Sequence, residues 1–466
     1  MADVSPTLAW LPATTLPASR VLAAVSVFCV AFIGYQLALV TYRLWFHPLA
    51  KFPGPKLAAA SAWYEFYFDV FKGGMYTYEI EKMHAKYGPI IRVTPDEICI
   101  HDPEFYDKLY VGANVRKTDN YPQFVQGIDF EGSHFLTVDH DLHKRRRRVL
   151  DPFFSRTGIR KIEPLLATLI KRFEGHIRAH KGQIVHLEHA FFAFSGDVIR
   201  SVTCEDIDYF MDDDQFSPEW FQTVTSVIQA VPLFMAFPFL VNLVMNIPAS
   251  IIAAVLPVSQ QFVKFEDMAR DHIIRAKHDR DVAKANNTKV AENNSVFRSV
   301  LNSDEAEHEL TTDRLIKEAK TLFGAGTATT ARTLDFITFY ILNDPDIKAR
   351  IAEEVKGPMS GYPERFPTLA ELEALPYLSA VIREGFRLSF GVMHRLPHCY
   401  PDPIQYKDWI IPPKTPVGMS AYFNYTDSSI FPKPFRFMPN RWLGDIDPRM
   451  MRSWVPFSKG SRGCLS

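Results

Sequence analysis

From Val21 to Tyr42 the chain carries no charged residue, and Arg20 and Arg43 bracket the run. An apolar stretch of that length suits one helical crossing of a bilayer, so 21–42 is predicted to be a transmembrane anchor. Lys51 and Lys56 follow it, whereas the preceding tail carries only Asp3 and Arg20. The positive-inside bias then puts residues 1–20 in a lumen and the bulk of the chain in the cytosol. A cleaved signal peptide is the competing reading, against which stand the length of the run and its distance from Met1. Residues 43–56 contain His47-Pro-Leu-Ala-Lys-Phe-Pro53-Gly54-Pro55-Lys56. Prolines so spaced exclude helix and central strand and predict a stiff hinge ahead of a domain spanning 57–466.

Beyond the hinge, Ile90-Ile-Arg-Val-Thr and Glu97-Ile-Cys-Ile-His predict two short strands joined at Pro95-Asp96. From about Phe153 to Tyr340 apolar positions recur at three- and four-residue spacing, giving long helices such as Ile159–Ala179 and Leu315–Leu342. Val231–Leu256 is strongly apolar, but Pro232, Pro238 and Pro248 argue against a second span. It reads either as buried core or as an apolar lid dipping into a lipid surface. His278–Asn294 is polar and predicts an exposed linker, and Leu378–Phe390 an amphipathic helix. The fold class is therefore mainly α with a small β region.

The formal net charge of -1 over 466 residues argues against a protein built to bind nucleic acid and leaves only local basic patches to consider. Five scattered cysteines show no C-x-x-C pair and no zinc spacing, which suits a reducing compartment. On the topology above, the sequons at Asn286, Asn293 and Asn424 face the cytosol and stay unglycosylated.

Candidate chemistry concentrates near the end, in Phe457-Ser-Lys-Gly460-Ser-Arg462-Gly-Cys464-Leu-Ser466. A metal-binding thiolate needs backbone N–H donors and positive charge around its sulfur. Gly460 and Gly463 permit close backbone approach, and Arg462 supplies charge. In the long helix, Phe323-Gly-Ala325-Gly326-Thr327-Ala328-Thr329-Thr330 places weak helix formers together. Threonine back-bonding there leaves a local groove, and close packing on a neighbouring helix is the alternative. Glu384 and Arg387 lie one turn apart, and Arg441, in Phe437-Met-Pro439-Asn-Arg441-Trp442, is a candidate third member of a buried ion cluster. His143-Lys-Arg-Arg-Arg147-Arg148 is the densest basic cluster and, read alone, is a nuclear signal or a solvated helix face; yet a helix puts His143 and Arg147 on one face, where both could reach a ligand's carboxylates.

Taken in order, these pieces resemble the cytochrome P-450 superfamily of haem-thiolate monooxygenases from Phe52 to the last residue. Lys51-Phe-Pro-Gly-Pro-Lys56, Tyr87-Gly-Pro-Ile and Asp139-His-Asp-Leu-His143 resemble its fungal microsomal, trichodiene-oxygenase-like branch. The resemblance implies haem b held by Cys464, with Phe457 beside the sulfur and Gly460 in the ligand loop. Arg462, His143, Arg147 and His398 then lie near the haem propionates. It makes Glu384, Arg387 and Arg441 a structural triad, Thr329 the hydroxyl on the oxygen side, and Ala325 and Gly326 the small residues over the haem. It implies an endoplasmic reticulum membrane location and electrons from NADPH through a cytochrome P-450 reductase, docked in part by the basic face around Lys144–Arg148. Its implied substrate is an apolar secondary metabolite, a terpenoid or polyketide, to be hydroxylated or epoxidised.

Three departures from the family pattern stand out. Ala328 replaces the acid that usually precedes the threonine, and His398 replaces a propionate-binding arginine. The sequence ends at Ser466, where the motif usually continues to a glycine, a proximal helix and a hairpin. A P-450 fold lacking those parts is expected, with a non-catalytic truncated remnant or mis-annotated gene product as the alternative reading.

Overall fold

The computed structural model describes residues 18–126, 130–205, 208–240, 243, 247, 260–286, 288 and 295–465. An apolar helix, Ala18–Thr41, continues into a wider turn, Tyr42–Phe46. It is long and apolar enough to cross a membrane and packs on nothing in the core. The segment after it does not hang free. Leu49 and Phe52 are buried with Ile90, Ile98 and Tyr406, and the Pro53 carbonyl accepts the Arg92 N–H at 2.7 Å. Gly54 has φ +153°, and a Cβ there would lie 2.5 Å from the Arg92 carbonyl oxygen. The proline-rich hinge is thus docked against the first strand, which ties the apolar helix to the domain.

The two strands expected near residue 95 form as β1 (Ile90–Arg92) and β2 (Ile98–Ile100), antiparallel with Ile91 opposite Cys99. Three further strands complete their sheet: β3 (Asp119–Asn120), β4 (His398–Cys399) and β7 (Val417–Gly418), in the order β1-β2-β7-β4-β3. A separate hairpin pairs β5 (Ile404–Tyr406) with β6 (Trp409–Ile411). The β3–β4 pairing sets Asn120 against His398 and so brings Thr118 and His398, far apart in sequence, toward one site.

Helices form the rest. The long helix runs Thr312–Asn343 without interruption, despite its glycines and threonines. Leu187–Cys204 packs along it, and a Cβ on Gly326 would come within 3.1 Å of Ile199 on that neighbour. Gly326 therefore serves the helix-packing alternative. The basic helix, His140–Arg148, starts where the Asp139 side chain accepts the Leu142 N–H at 2.7 Å. The E-x-x-R helix spans Pro376–Leu388.

Two sequence expectations are revised. The helix Gln260–Ala285 covers the first part of the polar stretch read as a linker. Ala276, Arg280 and Ala283 are buried at helical spacing, and Arg280 pairs with Asp281 and Glu307 at 3.0 and 3.3 Å, so charge there conceals an inward face. Pro232 lies inside the helix Pro218–Ala236 rather than ending it. Its missing N–H removes one helix bond, that to the Ile228 carbonyl, and the helix continues past it. Of the apolar stretch that follows, 241–242, 244–246 and 248–256 lie outside the described residues, as does Asn293.

Candidate functional site

The cysteine loop is built by its own backbone and by two elements that hold it from outside. Cys464 N–H donates to the Phe457 carbonyl at 2.9 Å and Gly463 N–H to the Gly460 carbonyl at 3.2 Å. Gly460 has φ +79°, and a Cβ there would sit 2.7 Å from the Val111 carbonyl oxygen. The Ser461 N–H donates to that same oxygen at 3.1 Å. No side chain fits at 460, whereas a Cβ at Gly463 would make only ordinary contacts, the nearest at 3.4 Å. The close approach expected of both glycines thus belongs to Gly460. From the basic helix, Arg147 donates Nη2–H to the Cys464 carbonyl at 2.9 Å, Nη1–H to the Gly463 carbonyl, and Nε–H to Asp151 at 3.0 Å. The Phe457 ring meets Phe386 edge-on at 5.2 Å, and the Cys464 side chain lies at the surface of the described chain.

Arg462 sits at the centre of a polar cradle. Its guanidinium donates to the carbonyls of Thr118 at 3.2 Å, Val138 at 2.6 Å, and Thr137. Burial lowers its pKa to about 10, against the raising influence of Asp119 and Asp139. Around it, His143 Nδ1, His398 Nδ1, Thr118 Oγ1 and Ser461 Oγ are buried without a hydrogen-bond partner among the described residues. Burial first, then Arg462, drives the His143 pKa down to about 2 and that of His398 to about 3. Both imidazoles are neutral near pH 7. Buried polar atoms left open beside a half-buried cation cost stability unless a ligand completes them, and an anionic ligand suits this set.

Below the loop, Glu384 receives a full set of donors. Arg387 donates Nε–H and Nη2–H to it at 2.9 and 2.8 Å, and Arg441 Nε–H at 3.1 Å. The Met438 N–H and Trp442 Nε1–H add bonds at 2.9 Å each. Arg387 also holds the carbonyls of Tyr425 and Pro434 at 3.0 and 2.6 Å, and Arg441 that of Pro432 at 3.0 Å. Glu384 and Arg387 are fully buried. The expected cluster of Glu384, Arg387 and the distant Arg441 is assembled, and Trp442 is its fourth member.

On the long helix, Thr329 Oγ1–H donates back to the Ala325 carbonyl at 2.7 Å, and both side chains are accessible. The sequence did not reveal Glu318 on the same helix. Its buried carboxylate takes the His134 N–H at 3.1 Å, pairs with His134 Nδ1, and takes Arg314 Nη1–H at 2.7 Å. The basic helix is less free than its composition suggests. Arg145 and Arg146 reach Glu309 at 3.3 and 2.8 Å, and Arg148 reaches Glu305 at 2.8 Å.

A family model described as Cytochrome P450 matches residues 60–465. The chain belongs to the cytochrome P450 family. Similar curated proteins include Cytochrome P450 monooxygenase oblB of Aspergillus clavatus, 50% identical over 92% of this chain and 84% of that protein. The Fusicoccadiene C-8 hydroxylase of Phomopsis amygdali is 45% identical over 94% of this chain and 84% of its own length. The Stellatic acid synthase of Emericella variicolor is 42% identical over 93% and 83% respectively. The P450 is a haem-thiolate monooxygenase of fungal secondary metabolism, using electrons supplied by a reductase. The cradle fits a haem: a loop cysteine of fixed backbone, a half-buried cation, and open buried polar groups for carboxylates.

Proposed function

We propose that this P450 is anchored by 21–42 in the endoplasmic reticulum membrane, with its catalytic domain in the cytosol. There it hydroxylates or epoxidises an apolar terpenoid or polyketide, drawing electrons from NADPH through a cytochrome P-450 reductase. The observation that carries the catalytic part is the cysteine loop, clamped by Arg147 and Gly460 beside the cradle of Arg462. When bound, thiolate-ligated haem b supplies dioxygen activation and C–H oxygenation. Cys464 would ligate the iron. Arg462, His143 and His398 would hold the propionates, the two imidazoles as neutral N–H donors. Arg147 has a different part from the one its position in the family implies: it fixes the loop carbonyls. Thr329 sets a hydroxyl on an accessible helix face, and with Ala328 beside it no carboxylate is available at that position to pass a proton.

The membrane reading rests on the apolar helix and on aromatic surface near it. Trp63 and Phe71 are largely exposed, and Trp63 and Phe66 pack against Phe237 at 5.9 and 5.5 Å. Such a patch beside an anchor suits contact with lipid. Asn424 is buried, which removes it as a glycan acceptor on any topology. The substrate reading follows the diene named in one relative. Microsomes carrying the full chain and a reductase, given NADPH and a panel of cyclic terpene hydrocarbons, test it. Products one oxygen atom heavier, absent with Cys464→Ser, are expected; turnover that is indifferent to that substitution would overturn it.

A further inference from the structure

Glu318 is the one fully buried carboxylate of the long helix, Thr312–Asn343. It accepts Nη1–H of Arg314, one turn back, at 2.7 Å, and reaches across 184 residues of sequence to His134. The His134 N–H donates to it at 3.1 Å, and the ring meets it through Nδ1. Burial raises the Glu318 pKa, but His134 and Arg314 outweigh burial and hold it below the ordinary glutamate value. An ionised carboxylate only accepts, so Nδ1 carries the ring proton. One side chain of the long helix thus grips both the backbone and the ring of His134.

His134 opens a tight turn that leads to the cradle. The Thr137 N–H donates to the His134 carbonyl at 3.3 Å, and Thr137 Oγ1–H to the Ser133 carbonyl at 2.6 Å. Ser133, His134, Leu136 and Thr137 are all buried. The far end of the turn is held as well. Arg146 donates Nη1–H to Thr137 Oγ1 at 2.9 Å and Nε–H to Glu309, just ahead of the long helix, at 2.8 Å. These bonds leave the Thr137 carbonyl to Arg462. It and the Val138 carbonyl, which also takes the Asn120 N–H at 2.9 Å, are two of the three oxygens on that guanidinium. Among the described residues Arg462 forms no ion pair, so the placing of those carbonyls sets the place of its charge.

We infer that Glu318 is a positioning residue: by gripping His134 it sets the turn whose carbonyls place the Arg462 guanidinium, and so governs how tightly the cradle retains a haem. The inference rests on the monooxygenase reading above and deepens it. It gives the long helix a second part besides carrying Thr329. A hydrogen-bonded line runs from its N-terminal half into the cysteine loop, two residues from Cys464.

Two double variants of the full chain test this. Glu318→Gln with Arg314→Met, and Glu318→Met with Arg314→Met, lose the same pair of charges, so neither strands one buried ion of that pair. They differ in whether residue 318 still offers His134 an oxygen. Hydrogen exchange read by mass spectrometry, with and without haem, follows residues 133–138 and 457–465, with 376–388 as the internal reference. Transfer of haem to excess apomyoglobin measures retention. The Glu318→Gln pair should stay close to wild type. The Glu318→Met pair should exchange about tenfold faster in 133–138 and 457–465, but not in 376–388, and release haem about tenfold faster. His134→Phe, which keeps the backbone N–H and removes Nδ1–H, should give a smaller effect in the same two segments. Equal exchange or equal haem release in the two pairs would overturn the inference, as would faster exchange in all three segments alike. An intact reduced, CO-treated spectrum of the wild type would show that the monooxygenase reading survives that failure. If the wild type takes up no haem, that reading fails, and the exchange comparison alone decides whether Glu318 places Arg462.

Discussion

Arg147 Nη2–H donates to the carbonyl of Cys464 at 2.9 Å, so the basic helix fixes the backbone of the residue proposed to ligate the iron. The same guanidinium spans Gly463 and Asp151. A lysine offers one compact ammonium and cannot bridge all three. Arg147→Lys is expected to weaken haem retention by about tenfold to a hundredfold, in line with about 1.5–3 kcal/mol for bonds to a charged group. The haem-to-protein ratio after dilution and gel filtration measures it.

Gly460→Ala is expected to be worse. A non-glycine residue at φ +79° costs on the order of 1–3 kcal/mol, and the overlap with Val111 adds to it. The variant should lose haem and melt at a lower temperature, whereas Gly463→Ala should stay close to wild type in both. Equal damage from the two substitutions would contradict the geometry.

Glu384→Gln leaves two buried guanidinium groups without their anion. Removing one partner of a buried ion cluster costs about 3–5 kcal/mol, so little folded protein is expected in a soluble or membrane fraction. Trp442→Phe deletes one neutral donor and should cost about 1 kcal/mol. Denaturant melts rank the two.

The pH dependence of the haem-free chain has a defined sign. His143 and His398 have folded pKa values of about 2 and about 3, below the ordinary histidine value. Between those values and about pH 6.5 the unfolded chain binds more protons, so stability rises with pH across that window and is lost as pH falls through it. Each buried histidine contributes a slope approaching 1.4 kcal/mol per pH unit, roughly, well inside the window. Melting temperature should therefore drop steeply from pH 7 to pH 5, and less so in a His143→Asn variant. A flat profile would contradict neutral burial of these imidazoles.

Much of this was legible in the sequence because close motifs encode close geometry. The N-terminal apolar helix, the strands at Ile90 and Ile98, the long helix and the Glu384–Arg387–Arg441 cluster follow from periodicity and from residue types that need partners. The resemblance added the roles proposed for Cys464 and Arg462. What stayed hidden depends on residues brought together by topology. Thr118 enters the cradle only because β3 pairs with β4, and His134 meets Glu318 across a long sequence gap. The inward face of the charged stretch at Arg280 was masked by average polarity. Gly326 could be read either as haem-facing or as packing, and only its contact with Ile199 decides for packing.

The central claim is that Cys464, held in this loop, ligates a haem iron. Microsomes expressing the full chain, reduced and treated with CO, give the most direct test. A difference spectrum with the Soret maximum of thiolate ligation, lost in Cys464→Ser, is expected. A folded protein with no haem signal, or with a signal unchanged by Cys464→Ser, would contradict it.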